Sequence, residues 1–463
     1  MLDLLKKLNN AQQAAVTHLT GPLLLVAGAG TGKTTVLINR LAYLVLEKKV
    51  DTDNILLLTF TEKAAGEMEE RADKILPYGY TDLWIHTFHG FSERLLRDHG
   101  LEIGLNPDFK LLTETEQWVF VKKNLAHFKL DYYKPLGNPT KFISEMLKHF
   151  SRLKDENITT EEYLSYADSL EQDKDQKLGV SSVLKKKGNN REKVDISLDE
   201  DDEVLRVKEL ANAYHTYNSL MLLNGFLDFG DLIIYTIKLL QSRKSILRYY
   251  QKKFKYIMVD EFQDTNLSQY ELIKLLALPS NNLLVTGDDD QAIYKFRGAS
   301  ISNIMQFKED YKDAKNVVLI ENYRSKQEIL DAAYQFIKHN NPNRLEARLK
   351  IDKRLKSQRG VIVNNKNLQP VNFFNLPSVE DEVAFVVSKV KEIYQFENKT
   401  HEKTTWSDFA ILVRANDTAD AYVKELNRQG VPNQFMSWRG LYYKPIILDV
   451  LAYFRLLDNY HES

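Results

Sequence analysis

Short unbroken apolar runs recur along the chain, and each ends abruptly in polar or glycine-rich sequence. "PLLLVAGAGTGKTT" is the first, "NILLLTF" the second, and "KYIMVDEF" and "NNLLVTGD" follow much later. Continuous apolar runs of this length read as strands buried on both faces, as in a parallel sheet covered by helices. The helices lie between them: Val36, Leu37, Leu41 and Leu44 repeat at helical spacing after the first run. The pattern predicts an α/β fold with a parallel sheet, whose sites lie at the carboxyl ends of the strands. Residues 113–222 differ. They read as mostly helical, as in "TETEQWVFVKKNLAHF", and hold a charged stretch near 172–201 with few aromatics, expected to be solvated or partly disordered. After Asn316 the alternation resumes with "NVVLIENYRS", "VNFFNL" and "DFAILVRA", which reads as strands of a second parallel-sheet lobe.

Those patterns divide the chain into a first lobe at 1–112 and 223–312, a helical insert at 113–222 and a second lobe at 313–463. The 463 residues are 43% hydrophobic and 27% charged, enough apolar sequence for ordinary globular cores. The net charge of -1 gives no overall basic field, so a nucleic-acid site would have to be a local patch. With no cysteine, disulfides, thiolate catalysis and zinc–thiolate sites are excluded, in keeping with a reducing compartment. No apolar run approaches the about 20 residues that span a bilayer, and the N-terminal residues lack a signal-peptide core.

Two segments carry legible chemistry. "AGAGTGKTT", from Ala27 through Gly28, Ala29, Gly30, Thr31, Gly32, Lys33 and Thr34 to Thr35, joins a strand to a helix. Its glycines let backbone N–H groups approach phosphate oxygens, and the helix N-terminus adds its positive end. Lys33 would reach the outer phosphates and Thr34 would bind Mg²⁺. Ala27 stands where the general phosphate-loop pattern has its first glycine. "YIMVDEFQDTN" delivers Asp260 and Glu261 to the end of a strand. Asp260 would hold Mg²⁺ through water, and Glu261 would orient and deprotonate an attacking water.

With those residues in place, the chain resembles the UvrD/Rep-type superfamily 1 DNA helicases. "LNNAQQAAV", "LLLTFTEKAAGEMEERA", "IHTFHGFSERLLRDHG", "LDFGDLI", "VDEFQDTNLSQYELIKLLA", "GDDDQAIYKFRGA", "IENYRSKQEIL", "AILVRANDTADAYVKELNRQGVP" and "WRGLYYKPIILDVLAYFRLL" stand in family order. The resemblance implies RecA-like P-loop lobes, ATP and Mg²⁺, and an ATP-dependent 3′→5′ translocase or helicase. Its partners would be single-stranded DNA and its junctions with duplex, in the cytoplasm of a bacterial-type cell, beside the nucleoid. Gln12 is then the reader of adenine and Tyr323 stacks on it. Gln291 senses the γ-phosphate, and Arg324 is an arginine finger. Phe60, Thr61, His89, Phe229, Tyr294, Phe296 and Arg297 are then the DNA contacts, the aromatics offering stacking faces.

The match departs at several points. Thr35 stands where the family usually has an Arg beside adenine, and Arg40 lies further along the helix. Glu62 replaces an Asn, Gly90 a Ser and Phe296 a Trp. The family continues well beyond "LLDNYHES", so the reading is of an N-terminal portion with a truncated second lobe. Three alternatives stay open at this level: the motor of a helicase–nuclease, a fragment that binds ATP and DNA without turnover, and a P-loop ATPase with no nucleic acid.

Overall fold

The computed structural model describes residues 3–77, 83–184, 198–293, 301–359, 371–400, 404–435 and 445–458. Its strands are β1 (Leu23–Ala27), β2 (Ile55–Thr59), β3 (Trp84–Thr87), β4 (Lys110–Leu111), β5 (Phe226–Leu227), β6 (Tyr256–Val259), β7 (Leu283–Gly287), β8 (Lys315–Leu319), β9 (Glu321–Asn322) and β10 (Lys356–Ser357). Six of them form one sheet in the order β3-β2-β6-β7-β1-β8, with every pairing parallel. The expected α/β architecture is present, and β1, β2 and β7 are buried along their whole length. Alternate residues feed opposite cores. Leu24, Val26, Leu56 and Leu58 pack on one side with Phe88, Phe91 and Phe262; Leu23, Leu25 and Leu57 pack on the other with Leu37, Leu41 and Met68. A period of two across a doubly covered sheet is why the runs read as unbroken apolar sequence.

The sheet runs past residue 312. Lys315–Leu319 was expected to open a second sheet, yet it pairs with β1 from Leu23↔Lys315 to Ala27↔Leu319 and closes the first. Val317 and Leu319 complete the same apolar cluster as Leu23 and Leu25, which is what draws the strand there. Two compact units result, residues 1–370 and 371–463.

The helical insert is built from Glu114–Lys123, Ile143–Asp155, Thr160–Leu184 and Leu198–Leu223. β4 and β5 pair at its neck, and Phe150, Met146, Tyr214 and Tyr217 form its core. The charged stretch near 172–201 is helical up to Leu184 and again from Leu198; residues 185–197 lie outside those described.

In the second unit the helices are Val379–Thr400, Asn416–Arg428 and Pro445–Asp458. Val387, Leu426 and Val431 form a small core, and Trp406 stacks on Tyr394 at 3.6 Å. "VNFFNL" and "DFAILVRA" are irregular, not strands. A strand needs a paired neighbour to satisfy its backbone groups, and among the described residues neither segment is paired in a sheet; they pack instead through side chains, Phe374 on Phe385 and Ile411 on the small core. Among the described residues no helix is long and apolar enough to cross a membrane.

Candidate functional site

The sheet order lays the candidate residues along one edge. β2 and β3 end together at Thr59↔Thr87, and the Asp260 N–H donates to the Leu58 carbonyl just before the end of β2. Phe60, Phe88 and Asp260 therefore leave the sheet as neighbours. The Asp288 turn follows β7, the glycine-rich loop follows β1, and the Asn322–Arg324 segment follows β8.

At the β1 end the loop turns through Gly30 and Gly32, both left-handed, at φ 76° and 88°. A Cβ on Gly30 would sit 2.7 Å from the Arg324 Cβ, and one on Gly32 2.8 Å from the Gln12 Nε2, so both positions exclude a side chain. Gly32 caps the helix Lys33–Leu46 with no side-chain hydrogen bond. An N-terminus capped this way offers its first N–H groups to an anion. Gln12 is buried and donates to the Thr31 carbonyl at 3.0 Å, while its oxygen accepts from the Asn9 N–H. Asn322, unmarked by the sequence reading, donates to the Ala29 carbonyl at 2.6 Å, and the Tyr323 N–H donates to the Gly30 carbonyl at 2.9 Å. The Tyr323 hydroxyl accepts from Asn9 at 3.0 Å and its ring is exposed. Gln12, Tyr323 and the loop thus share one corner, with Arg324 exposed beside it.

Thr34 is half-buried and Thr35 exposed. Arg40 does not substitute for the missing arginine. Buried at 1% exposure, it donates to the Ala15, Val16 and His18 carbonyls at the end of the Asn10–Val16 helix. Burial lowers its pKa to about 10.

Lys33 points its ammonium at Glu261, 2.5 Å from Oε2. Glu261 has φ 48°, an uncommon conformation for a non-glycine residue, and it starts the turn Phe262–Asp264. Gln263 donates to the same Glu261 oxygen at 2.8 Å and accepts from the Asp288 N–H at 3.0 Å. Asp260 is buried and accepts from the Thr286 hydroxyl at 2.7 Å. Burial and the neighbouring Glu261 raise its pKa, against Lys33, which lowers it. Asp264 is pushed up to about 6, by burial and then by Glu261. Gln291 donates to Asp288 Oδ2 at 2.6 Å. Buried Asp260 with half-buried Glu261 and Asp264, beside Lys33, suits a divalent cation, which would stabilise the ionised carboxylates.

The other end of the edge carries the expected DNA contacts. Thr61 caps the helix Glu62–Asp73, accepting from the Ala64 N–H at 3.1 Å. Glu62 is tied to the Thr87 hydroxyl at 2.5 Å, which fixes the carboxylate that replaces Asn in the family pattern. Phe60 and His89 are half-buried, and Phe229 is 47% exposed. His89 and Phe229 meet edge to face, 5.7 Å apart. Burial lowers the His89 pKa, opposed by Glu62 and Asp228, and so favours the neutral ring. Tyr294, Phe296 and Arg297 lie outside the described residues.

The Phe229 turn rests on a buried charge cluster that the sequence did not reveal. Lys154, 1% exposed, reaches Asp228 and Asp231, both at 2.7 Å, from the helical insert. Tyr217 donates to Asp228 at 3.0 Å.

A parallel sheet with a glycine-rich loop after β1 and an acidic pair after β6 defines a P-loop nucleotide-binding protein with a RecA-like lobe. The UvrD/REP helicase N-terminal domain model matches residues 8–312, and the UvrD-like helicase C-terminal domain model matches residues 317–463. The chain belongs to the UvrD/REP helicase family. It is 37% identical over 458 residues to the ATP-dependent DNA helicase PcrA of Bacillus subtilis (strain 168), covering 99% of this chain and 54% of that one. To the proteins of the same name in Staphylococcus epidermidis RP62A and Staphylococcus aureus Mu50 it is 34% and 33% identical over 463 residues. Both matches cover 100% of this chain and 55% of the relative. The chain spans about half the length of the curated relatives it matches.

Proposed function

We propose that this chain is the ATP- and DNA-binding motor portion of an ATP-dependent DNA helicase, moving 3′→5′ on single-stranded DNA and acting at its junctions with duplex. The observation that supports it most is the order along one sheet edge: DNA-contact candidates after β3 and β2, the acidic pair after β6, Gln291 after β7, the phosphate loop after β1 and Arg324 after β8. Hydrolysis and strand grip then share the same neighbouring turns.

The residues divide the work. Backbone N–H groups at the start of the Lys33 helix hold phosphate oxygens. Lys33 rests on Glu261 at 2.5 Å, and phosphate oxygens compete for that ammonium. Their arrival frees the Glu261 carboxylate to take a proton from water. Thr34 and Asp260 would hold Mg²⁺, which supplies charge neutralisation on the transferring phosphoryl group. Gln291 orients through its amide, and Arg324 stabilises the charge that develops. Gln12 and Tyr323 take the adenine. Phe60, Thr61, His89 and Phe229 line the strand, with Tyr294, Phe296 and Arg297 completing the contact. Its setting is the bacterial cytoplasm beside the nucleoid, in DNA repair or replication.

The test is phosphate release by this 463-residue chain, with and without single-stranded DNA, beside Lys33→Ala. DNA-stimulated release in the wild type, absent in Lys33→Ala while oligonucleotide affinity is kept, is the expected result. Release indifferent to DNA, or intact in Lys33→Ala, refutes the reading.

A further inference from the structure

Asp288, Asp289 and Asp290 place carboxylate oxygens within 4.8 Å of one another. Three like charges so close need a cation. Lys353 supplies it. Its ammonium donates to Asp288 Oδ1 at 2.6 Å, to Asp290 Oδ2 at 2.9 Å and to Asp289 Oδ1, which uses all three of its protons. Lys353 is 7% exposed. Arg344, also buried, grips Asp290 through two parallel hydrogen bonds of 2.7 Å, and the Leu345 N–H donates to Asp289 at 2.7 Å. The segment from Arg344 to Lys353 therefore wraps the acidic turn, and an ammonium fills the place a metal ion would take.

The clamp does not end at the aspartates. The second oxygen of Asp288 accepts the Gln291 amide at 2.6 Å. The Asp288 N–H donates to Gln263, and Gln263 donates to the Glu261 oxygen that also receives Lys33. An unbroken hydrogen-bonded path thus runs from Lys353 to the phosphate-loop lysine. We propose that Lys353 is a positioning residue for the Gln291 loop: by fixing the Asp288 carboxylate it sets where the Gln291 amide stands relative to the nucleotide. This rests on the motor reading above, in which Gln291 faces the γ-phosphate. Arg344 braces the same turn from Asp290.

The experiment uses the whole 463-residue chain. Lys353→Met keeps the stem and removes the charge. Lys353→Met with Asp289→Asn removes one of the carboxylates the lysine neutralises. Each is made with and without Gln291→Ala. The readouts are DNA-stimulated kcat, KM for ATP, affinity for a fluorescent ATP analogue, and melting temperature. Misplacing an orienting group by about an ångström costs about a hundredfold, so kcat in Lys353→Met should fall by about ten- to a hundredfold. KM and analogue affinity should hold within about twofold, since the phosphate loop and Lys33, which carry most of the binding, are untouched. Asp289→Asn should restore part of kcat. Gln291→Ala added to Lys353→Met should cost nothing further, because both losses run through one amide. If Lys353→Met does not fold, the same comparison is made in the Asp289→Asn background. Losses of Lys353 and Gln291 that multiply overturn the inference, as does a fall in analogue affinity parallel to kcat. A wild type without DNA-stimulated turnover overturns the motor reading instead, and this inference with it.

Discussion

Replacing Lys154 with Met should destabilise the chain and loosen the Phe229 turn, proposed above to contact DNA, together, and the structure sets the size. Lys154 comes from the helix Ile143–Asp155 of the insert and meets two carboxylates on the first turn of the helix Phe229–Ser242 and its cap. Both contacts are 2.7 Å and all three side chains are nearly sealed from solvent. Asp228 and Asp231 also cap that helix reciprocally, through hydrogen bonds of 2.9 and 3.0 Å, so neither can swing away. Methionine fills the stem's volume, so the loss is electrostatic. Removing one partner of a buried pair costs about 3–5 kcal/mol. The cost should depend on pH, and the sign is fixed. Burial and Asp228 hold Asp231 up at about 7, against 3.8 ordinarily. A carboxyl raised on folding favours the folded state fully below its unfolded pKa and loses that contribution as pH rises through the folded value. Against its burial, Asp228 is held below its ordinary value by Lys154 and the hydrogen bonds it accepts; without the lysine that carboxyl rises and Asp231 rises further, so the deficit should be largest at pH 8 and smaller at pH 5. Phe229 stands between Asp228 and Gly230, and a Cβ on Gly230 would lie 2.8 Å from the Lys154 Cδ. The turn thus packs directly on Lys154, and losing the ammonium that ties down Asp228 and Asp231 should weaken oligonucleotide affinity by up to the about 1–3 kcal/mol of one stacked base. Urea unfolding at the two pH values and fluorescence anisotropy with a labelled oligothymidine measure both effects. A deficit under about 1 kcal/mol, or one equal at pH 5 and pH 8, would show that the Lys154 charge does not hold this turn.

Two further outcomes follow from the same geometry. Glu261→Gln keeps the acceptor for Gln263 but loses the base and the ion pair to Lys33; hydrolysis of bound ATP in a single-turnover quench should slow by about a hundred- to ten-thousandfold, with analogue affinity kept or improved. Unchanged single-turnover rates would mean that another group takes the proton. Asp155→Asn should raise the melting temperature at pH 8 and leave it unchanged near pH 4. Burial pushes the Asp155 carboxyl up to about 7 from 3.8, while its bond from Asn266 at 2.6 Å can survive as an amide carbonyl. That rise would be worth about 4 kcal/mol for a sealed group, and partial exposure brings it to about 2 kcal/mol. A gain equal at both pH values would show that charge is not the cause.

What was readable in the sequence is what chemistry concentrates in a few consecutive residues. The glycine-rich loop and the pair Asp260–Glu261 each announce themselves because a strand end, a turn and a reactive group must follow one another directly. The strands announce themselves for the same reason, since a doubly covered sheet makes each run apolar throughout. The expectation failed where a run's partner decides its state. "NVVLIENYRS" has the composition of any buried strand, and nothing local says that β1, rather than a new neighbour, receives it. "DFAILVRA" has the same composition and is irregular, with Leu412 almost wholly exposed.

The residues that brace the site were unreadable for a sharper reason. Lys353 lies in "LKIDKRLK", where Lys350, Arg354 and Lys356 are exposed and Lys353 alone is buried among them. A cation in charged sequence looks the same whether it is solvated or locked onto three aspartates, because the difference is made by Asp288, 65 positions away. Lys154 and Asp228 are 74 positions apart, and Asn322 and Ala29 are 293. A catalytic carboxylate must face the reaction and therefore sits at a strand end, which leaves a pattern. A positioning cation need only face the carboxylate, from whatever segment the fold brings near, and leaves none. That asymmetry directs where function should be sought in this chain. In the proposed motor, Lys33, Asp260 and Glu261 carry the chemistry, as their sequence pattern implies. Lys154 and Lys353 hold the two turns, Asp228–Asp231 and Asp288–Gln291, that this chemistry depends on. Substitutions at those two lysines should therefore perturb grip at one and hydrolysis at the other while leaving the phosphate loop, and with it nucleotide binding, untouched.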